Sequence, residues 1–159
     1  MIPEKLYDEY FNSILAGDRE TCTRIVNSLL DKGIDIKVLY RQLFERSLYQ
    51  VGKLWENNKI SVAKEHLVTA ITESLLNLVY PHLFNHRQQG KKAVISCAAN
   101  EYHQIGGKMV ADLFELNGWD SYFLGANTPI KELLSFIGET KPDLLGLSLS
   151  IYFNLPALK

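Results

Sequence analysis

Apolar residues in the first half of the chain recur at intervals of three and four positions. Between residues 3 and 86 this spacing persists, as in the series Tyr40, Phe44, Leu48, Val51 and Trp55. Such periodicity is typical of α-helices that bury a broad face. It predicts a four-helix bundle with helices at about 3–16, 18–32, 36–57 and 61–86.

The predicted helix ends carry residues that can satisfy the backbone groups left unpaired there. Asp18, Asp35 and Ser61 fit the N-cap position, where a side-chain oxygen accepts a hydrogen bond from a backbone N–H. Gly17 and Gly33 fit the C-terminal ends of the first two helices, because glycine adopts a left-handed conformation at little cost. A short linker at 88–90 follows the bundle.

After the linker, short apolar runs alternate with helix-like segments. The runs at 92–98, 119–124 and 143–149 predict strands, and the segments at about 105–117 and 129–139 predict helices. Thr128 fits the N-cap of the second of these helices, and Pro129 fits its first position. Right-handed crossovers make such strands parallel, and we expect the order 2-1-3.

These patterns predict an α/β protein in two parts. The first is a four-helix bundle cap at residues 1–88, and the second is a flavodoxin-like (Rossmann-like) parallel α/β domain at 91–159. An apolar third strand requires a neighbour on both edges, and the segment 151–158 is too short to supply one. We therefore expect the second domain to lack its last strands and the chain to be a fragment of a longer protein.

Charge and composition narrow the classes of function. The 17 basic and 18 acidic residues nearly cancel, and no block of Lys and Arg interleaves with aromatic residues, so a nucleic-acid surface is not expected. No apolar stretch reaches the roughly 18 residues needed to cross a membrane, and the N-terminus lacks the order of a signal peptide. We expect a cytoplasmic chain without a membrane partner. Cys22 and Cys97 have no metal-ligand or redox spacing, which favours two small buried residues.

The loop after the first predicted strand carries the most informative run of residues. Glu101 lies two positions before His103, and Gly106 and Gly107 follow at the start of a helix-like segment. A carboxylate at this spacing can fix the tautomer of an imidazole that binds a metal. In a sheet of order 2-1-3, this loop and the loop after the third strand flank the crevice where α/β proteins bind ligands. Considered alone, His103 is better explained as an ordinary loop histidine.

At these positions the sequence resembles a known signature. Glu101-x-His103-x-x-Gly106 is similar to the cobalamin-binding pattern Asp/Glu-x-His-x-x-Gly, and Ser148-Leu149-Ser150 resembles the Ser-x-Leu element that follows it. Either motif alone is weak, but the two together, at this separation, are specific. The resemblance implies a bound cobalamin whose dimethylbenzimidazole base is displaced.

The resemblance also implies a role for each matching residue. His103 would coordinate cobalt from the lower face, and Glu101 would hold its imidazole. The residues expected around the nucleotide tail are Gly106, Gly107, Ser148 and Ser150. Adenosylcobalamin is the expected cofactor, with methylcobalamin and hydroxocobalamin left open.

A second motif lies in the helical half. Trp55 is followed, after nine residues, by Glu65 and His66. If the third and fourth helices pack antiparallel, these residues meet near one end of the bundle. Considered alone, Trp55 and His66 are explained equally well as core residues, and Glu65 as a solvated carboxylate. The stretch resembles the Trp-x9-Glu-His element of the adenosylcobalamin-dependent photoreceptors, whose best-known members are light-responsive transcriptional repressors.

For these residues the resemblance implies a light switch. Trp55 would form a lid over the upper adenosyl group, Glu65 would be a polar partner near that group, and His66 would reach cobalt once light has removed it. We expect a sensory module, not an enzyme, that signals by rearranging its domains or its oligomer, as a homo-oligomer or with a downstream partner. Because no basic recognition helix precedes the bundle, direct DNA binding by this chain is not expected.

Two alternatives stay open at this point. A corrinoid protein that carries a methyl group for a methyltransferase system joins a helical cap to the same α/β fold, although a methyl group needs no large aromatic lid. A cofactor-free interaction module is the other alternative. Retention of cobalamin on purification distinguishes this module from the first two candidates.

Overall fold

The structure is a computed structural model that describes residues 1–84 and 89–150. The chain divides into two compact units, Met1–Pro81 and His82–Lys159. The helical elements of the first unit are α1 (Glu4–Ala16), α2 (Arg19–Asp31), α3 (Ile36–Leu39), a π-helical stretch (Tyr40–Glu45), α4 (Arg46–Glu56) and α5 (Val62–Val79). Since α3, the π-helical stretch and α4 are consecutive, they form one long helix. The prediction of an N-terminal four-helix bundle is confirmed.

The helix ends in this unit follow the local signals of the sequence. Asp18, Asp35 and Ser61 each accept a hydrogen bond from a backbone N–H in the first turn, at 3.0, 2.8 and 3.3 Å. Gly17 ends α1 with a left-handed backbone, at φ 82°. The three predicted N-caps are therefore confirmed.

The fourth helix is shorter than predicted. α5 ends at Val79 and is followed by a 3₁₀ turn at Tyr80–His82, whereas the sequence pattern extended the helix to about residue 86. Pro81 explains the difference, because proline has no backbone N–H and its ring clashes with the carbonyl one turn earlier. Residues 85–88, which include the start of the predicted linker, lie outside the described residues.

Buried aromatic side chains join α1 to the long third helix. The ring of Phe44 lies 6.4 Å from that of Tyr10 and 5.8 Å from that of Tyr40, measured between ring centroids. All three side chains are buried, and such ring pairs add about 1 kcal/mol each beyond the burial of their surface. This cluster anchors the helix whose C-terminal part is α4.

The second unit contains a parallel sheet. Its described elements are β1 (Lys92–Cys97), α6 (Ile105–Leu116), β2 (Asp120–Phe123), α7 (Ile130–Thr140) and β3 (Leu144–Ser148). β1 pairs in parallel with both other strands, which gives the order β2-β1-β3. The predicted βαβαβ unit, its strand direction and its order are confirmed. The loops after the three strands consequently leave the same edge of the sheet.

The start of α7 differs from the prediction. Pro129 occupies the N-cap position, with φ −59° and ψ 135°, and no side chain caps the helix there. The hydroxyl of Thr128 instead donates a hydrogen bond to the carbonyl of Leu124, at 3.3 Å. Thr128 does not cap α7, because its hydroxyl is used to shape the loop that leaves β2.

The third strand is paired with β1 alone within the described residues. Leu145 and Leu147, which lie on one face of β3, remain 43% and 41% exposed. The segment 151–159, where the sequence predicts too little chain for further strands, lies outside the described part of the chain. Among the described helices, none has the length and hydropathy needed to cross a membrane.

Candidate functional site

Glu101 is the buried centre of the loop after β1. Its Oε1 accepts a hydrogen bond from the backbone N–H of His103 at 3.0 Å and lies 2.6 Å from Nδ1 of the same residue. Its Oε2 accepts a hydrogen bond from the backbone N–H of Ser150 at 2.9 Å. Because a buried carboxylate is costly unless it is hydrogen-bonded, these contacts stabilise Glu101 in its position. Glu101 thereby links the loop after β1 to the loop after β3.

The carboxylate of Glu101 orients the imidazole of His103. A contact of 2.6 Å to an ionised acceptor favours a proton on Nδ1, which leaves the lone pair of Nε2 for a ligand. The side chain of His103 is 55% exposed, although Glu101 is fully buried. A carboxylate hydrogen-bonded to one ring nitrogen also fixes the orientation of a metal-binding imidazole. This geometry leaves Nε2 of His103 exposed and without the proton that Glu101 holds on Nδ1.

Gly106 and Gly107 have different surroundings, although they are adjacent at the start of α6. Gly106 is exposed, and a Cβ added there would meet nothing within 4 Å. A Cβ added at Gly107 would lie 3.2 Å from the ring of Phe123 and 3.4 Å from the Cβ of Ser148. Gly107 therefore allows α6 to pack closely on the sheet, whereas Gly106 leaves open surface next to the His103 loop.

Ser148 and Ser150 lie at the end of β3. The carbonyl of Ser148 accepts a hydrogen bond from the backbone N–H of Ala98 at 2.9 Å, which extends the pairing with β1. Ser150 is exposed, and its backbone N–H is the group that Glu101 binds. The structure thus brings the sequence-predicted residues of this unit to one edge of the sheet: Glu101, His103, Gly106, Gly107, Ser148 and Ser150.

The loop after β2 also reaches this edge, although none of its residues was among the predicted site residues. The backbone N–H of Asn127 donates to the carbonyl of Glu101 at 3.1 Å, and its Oδ1 accepts from the backbone N–H of Asn100 at 3.0 Å. Both asparagines have positive φ, 50° at Asn127 and 64° at Asn100. Asparagine is enriched at such positions, so an asparagine soon after each of the first two predicted strands was the signal available in the sequence.

Cys97 lies at the end of β1, behind the His103 loop. Burial raises the pKa of the Cys97 thiol, and the charge of Glu101 raises it further. Burial likewise raises the pKa of Cys22, in α2, to about 12. Both cysteines are free and buried, as the sequence predicted. Neutral thiols at physiological pH are expected in both units.

The first unit carries the second predicted cluster at one end of α4 and α5, which pack against each other. Trp55 lies in the last turn of α4 and is 47% exposed, and His66 lies near the start of α5 with a side chain 74% exposed. These exposures exclude the interpretation of both as core residues. Glu65 Oε2 lies 2.8 Å from Nδ1 of His66, and Glu65 Oε1 accepts a hydrogen bond from the hydroxyl of Thr69 at 3.0 Å. His66 therefore shares with His103 an Nδ1 that faces a carboxylate.

Comparison with known proteins identifies the two units. Residues 6–80 match a family described as "B12 binding domain", and residues 91–159 match a second family with the same description. Both parts of the chain are B12-binding domains. Cobalamin binding and the predicted two-part fold are thereby confirmed.

The curated relatives of these B12-binding domains fall into two groups. The HTH-type transcriptional repressor CarA of Myxococcus xanthus is 26% identical over 145 residues, which are 91% of this chain and 48% of the repressor. Trimethylamine corrinoid protein 1 of Methanosarcina acetivorans is 22% identical over 148 residues, 91% of this chain and 68% of that protein. The chain thus spans about half the length of the repressor. These relatives are named as repressors and corrinoid proteins and not as enzymes, in agreement with the prediction of a non-enzymatic chain.

Solved structures support the fold. The monomethylamine corrinoid protein of Methanosarcina barkeri is similar with a TM-score of 0.85 and 15% identity, over 98% of this chain and 74% of that chain. At this identity the similarity concerns the fold alone. The chain is accordingly a cobalamin-binding module related both to repressors and to methylamine corrinoid proteins.

The donor groups of the second unit fit a corrinoid. In the part of the chain that the structure describes, no group of three or more His, Cys, Asp or Glu side chains could hold a metal ion by itself. His103 offers one imidazole nitrogen, fixed by a buried carboxylate and accessible from outside. A single imidazole nitrogen of this kind would suit a metal whose other ligands come from a macrocycle.

Proposed function

We propose that the chain is a cobalamin-binding sensory module that responds to light through adenosylcobalamin. The observation that carries the proposal is a pair of exposed histidines whose Nδ1 atoms face a carboxylate, Glu101 for His103 and Glu65 for His66. One such histidine is enough to hold a corrinoid. A second histidine that is held by a carboxylate in the same way supports a second state of the protein, in which a different histidine would be available to cobalt.

In this proposal the second unit binds the lower side of the cofactor. His103 would hold cobalt from the lower face through Nε2, and Glu101 keeps the proton of that imidazole on Nδ1. The open surface at Gly106 and the end of β3 at Ser148 and Ser150 receive the nucleotide tail. Gly107 supports this arrangement by allowing α6 to pack on the sheet.

The helical unit provides the light-sensitive side. Adenosylcobalamin supplies a cobalt–carbon bond that visible light breaks. The half-exposed indole of Trp55 offers a large flat surface to the adenosyl group, and Glu65 offers carboxylate oxygens to its polar atoms. His66 would be the residue available to hold cobalt once the adenosyl group is lost, since its Nε2 is the nitrogen not held by Glu65.

The output of the module is a rearrangement of its domains or its oligomer. Residues 1–88 act as the cap and residues 91–159 as the cobalamin-binding domain. A ligand that is bound differently in two states shifts the balance between them by its difference in affinity, so loss of the adenosyl group favours a different packing of the cap. The signal passes to a second copy of the chain or to a downstream partner.

The corrinoid relatives favour a second candidate function. In that alternative the chain carries a methyl group on cobalt for a methyltransferase system, as a relative of the methylamine corrinoid proteins. A methyl group is much smaller than an indole, so Trp55 would have no ligand of matching size. His66 would also compete with the methyl group for cobalt. These two residues favour the sensory function.

The proposal is tested by absorption spectroscopy of the purified chain with adenosylcobalamin. The protein is mixed with the cofactor in the dark, desalted and then illuminated with green light. We expect the wild type to retain the cofactor and to convert to a stable new spectrum in light. Methylcobalamin retained in preference to adenosylcobalamin would favour the methyl carrier, and no retention of either would favour a cofactor-free interaction module.

Three alanine variants test the proposed roles of the histidines. His103→Ala should abolish or greatly weaken binding in the dark, whereas His66→Ala should bind normally and alter only the illuminated species. His82→Ala, at an exposed histidine of the 3₁₀ turn, should behave as the wild type. If His66→Ala and the wild type give the same illuminated spectrum, the role of His66 is wrong. An elution profile that is unchanged by light would contradict the proposed output.

A further inference from the structure

The loop after β2 is bound firmly to the loop after β1. The backbone N–H of Cys97 donates to the carbonyl of Gly125 at 3.0 Å. Asn127 adds two hydrogen bonds, one to the carbonyl of Glu101 and one from the backbone N–H of Asn100. The segment 125–127 is therefore attached at both of its ends to the stretch that leads to His103.

A fourth hydrogen bond holds the middle of this segment, and it comes from the side chain of Gln104. Gln104 Oε1 accepts from the backbone N–H of Ala126 at 3.2 Å. Gln104 stands at the N-cap of α6, but its side chain does not cap that helix. Its amide reaches across to the neighbouring loop instead.

The neighbouring loop is shaped for this contact. Gly125 has φ +80°, a conformation that other residues adopt only with strain. A Cβ added there would lie 3.4 Å from Gln104 Oε1. The absence of a side chain at Gly125 thus allows the backbone to approach the amide of the residue that follows His103.

We propose that Gln104 is a positioning residue of the cobalamin site, which holds the segment 125–127 as a wall beside His103. This inference rests on the proposed role of His103 as a cobalt ligand. Gln104 fixes the distance between the two loops at the edge of the sheet, and with it the space open to a ligand next to the imidazole. Without the amide oxygen, the N–H of Ala126 loses its acceptor and the middle of the wall is released.

The chain offers a matched set of variants. Gln104→Leu removes the acceptor at similar size, and Gln104→Glu keeps an acceptor oxygen and should restore the contact. Gln89→Leu is the control, because Gln89 also bonds through its amide to a backbone carbonyl of the same unit, that of Asn117 at 2.8 Å, at a distant turn. A purely structural effect of losing one glutamine would be the same for Gln89→Leu.

The experiment combines amide hydrogen exchange of the cofactor-free protein with spectrophotometric titration by hydroxocobalamin. In Gln104→Leu we expect the amides of residues 126 and 127 to exchange about fivefold faster, in line with the loss of one hydrogen bond, and the Kd for hydroxocobalamin to rise by a similar factor. Gln104→Glu should restore slow exchange. Gln89→Leu should change neither quantity.

Each other result overturns the inference. Faster exchange with unchanged Kd would show that the segment is no part of the site, and a higher Kd with unchanged exchange would show that Gln104 acts in another way. If the wild type itself fails to bind hydroxocobalamin, the proposed function fails. The positioning role then depends on exchange alone, and equal rates in Gln104→Leu and wild type would overturn it.

Discussion

Glu101 Oε1 lies 2.6 Å from Nδ1 of His103, and the carboxylate is fully buried while the imidazole is half exposed. The buried partner is fixed by its other hydrogen bonds, so the exposed ring takes its orientation from it. The same pairing recurs at Glu65 and His66, where the carboxylate is held by Thr69. The difference between the two pairs is burial, since Glu65 keeps 24% of its side chain exposed.

Replacing the carboxylate of the buried pair should weaken cobalamin binding. We expect Glu101→Gln to raise the Kd for hydroxocobalamin roughly tenfold to a hundredfold, because a neutral amide no longer favours the proton on Nδ1. Glu115→Gln is the control, since Glu115 also accepts a hydrogen bond from a backbone N–H in this unit, that of Ser121. Equal Kd values for the two variants in a spectrophotometric titration would contradict the role of Glu101.

Substitutions at Gly106 and Gly107 should affect cobalamin binding and the stability of the fold separately. Gly106→Ala adds a methyl group to open surface in a helix, so we expect the protein to be as stable as wild type or more stable, by up to about 1 kcal/mol, but weaker in cobalamin binding. Gly107→Ala forces the added methyl group against Phe123, and we expect a loss of about 1 kcal/mol or more in the free energy of unfolding. Urea unfolding and cofactor titration measure the two effects. Unchanged affinity in Gly106→Ala would refute the use of that surface by the cofactor.

Replacing Trp55 should weaken the binding of adenosylcobalamin but should not destabilise the fold. Since Trp55 is 47% exposed, Trp55→Ala should leave the free energy of unfolding within about 1 kcal/mol of wild type. Binding of adenosylcobalamin should weaken, whereas binding of hydroxocobalamin, which lacks the large upper ligand, should stay the same. Tyr49→Ala removes an exposed aromatic ring from the same helix and serves as the control. Equal losses for both cofactors would contradict the proposed lid.

The buried thiol of Cys22 should make the protein less stable in alkali. Its pKa is raised to about 12 in the folded chain, mainly by burial, whereas an unfolded cysteine has a pKa of about 8.5. The unfolded state therefore releases this proton first as the pH rises. Below about pH 8.5 the neutral thiol contributes fully to the free energy of unfolding. Between about pH 8.5 and about pH 12 the free energy of unfolding falls by up to about 1.4 kcal/mol per pH unit. Urea unfolding at several pH values should show a shallower fall for Cys22→Ala, and an identical slope would contradict the assignment.

The sequence predicted those features that depend on local chemistry. The N-caps at Asp18, Asp35 and Ser61 were readable because each oxygen binds a backbone N–H within its own first turn. The strand order followed from handedness and from the alternation of strands and helices. Thr128 shows the limit of this reasoning, since its hydroxyl had two acceptable partners and the structure uses the carbonyl of Leu124.

The motif of the candidate site could be predicted from the sequence, but the hydrogen bonds that hold the motif in place could not. The spacing of Glu101 and His103 suggested their contact directly. The hydrogen bonds from Ser150 to Glu101 and from Ala126 to Gln104 join residues that are far apart in the chain, and nothing in the local pattern requires them. The early end of α5 had a visible cause in Pro81, but the apolar periodicity continued past it and outweighed it in the prediction.

The π-helical stretch at Tyr40–Glu45 sets the direction in which the end of its helix points. A π turn holds about one residue more than an α turn, and each residue of an α-helix advances the azimuth by about 100°. Every side chain of α4 is therefore rotated by roughly that angle relative to an uninterrupted helix that begins at Ile36. Removing one residue from this stretch would leave α4 intact but would turn Trp55 through more than a quarter of a circle. The orientation of the indole is thus determined at least ten residues earlier in the chain, by a single extra residue in the helix.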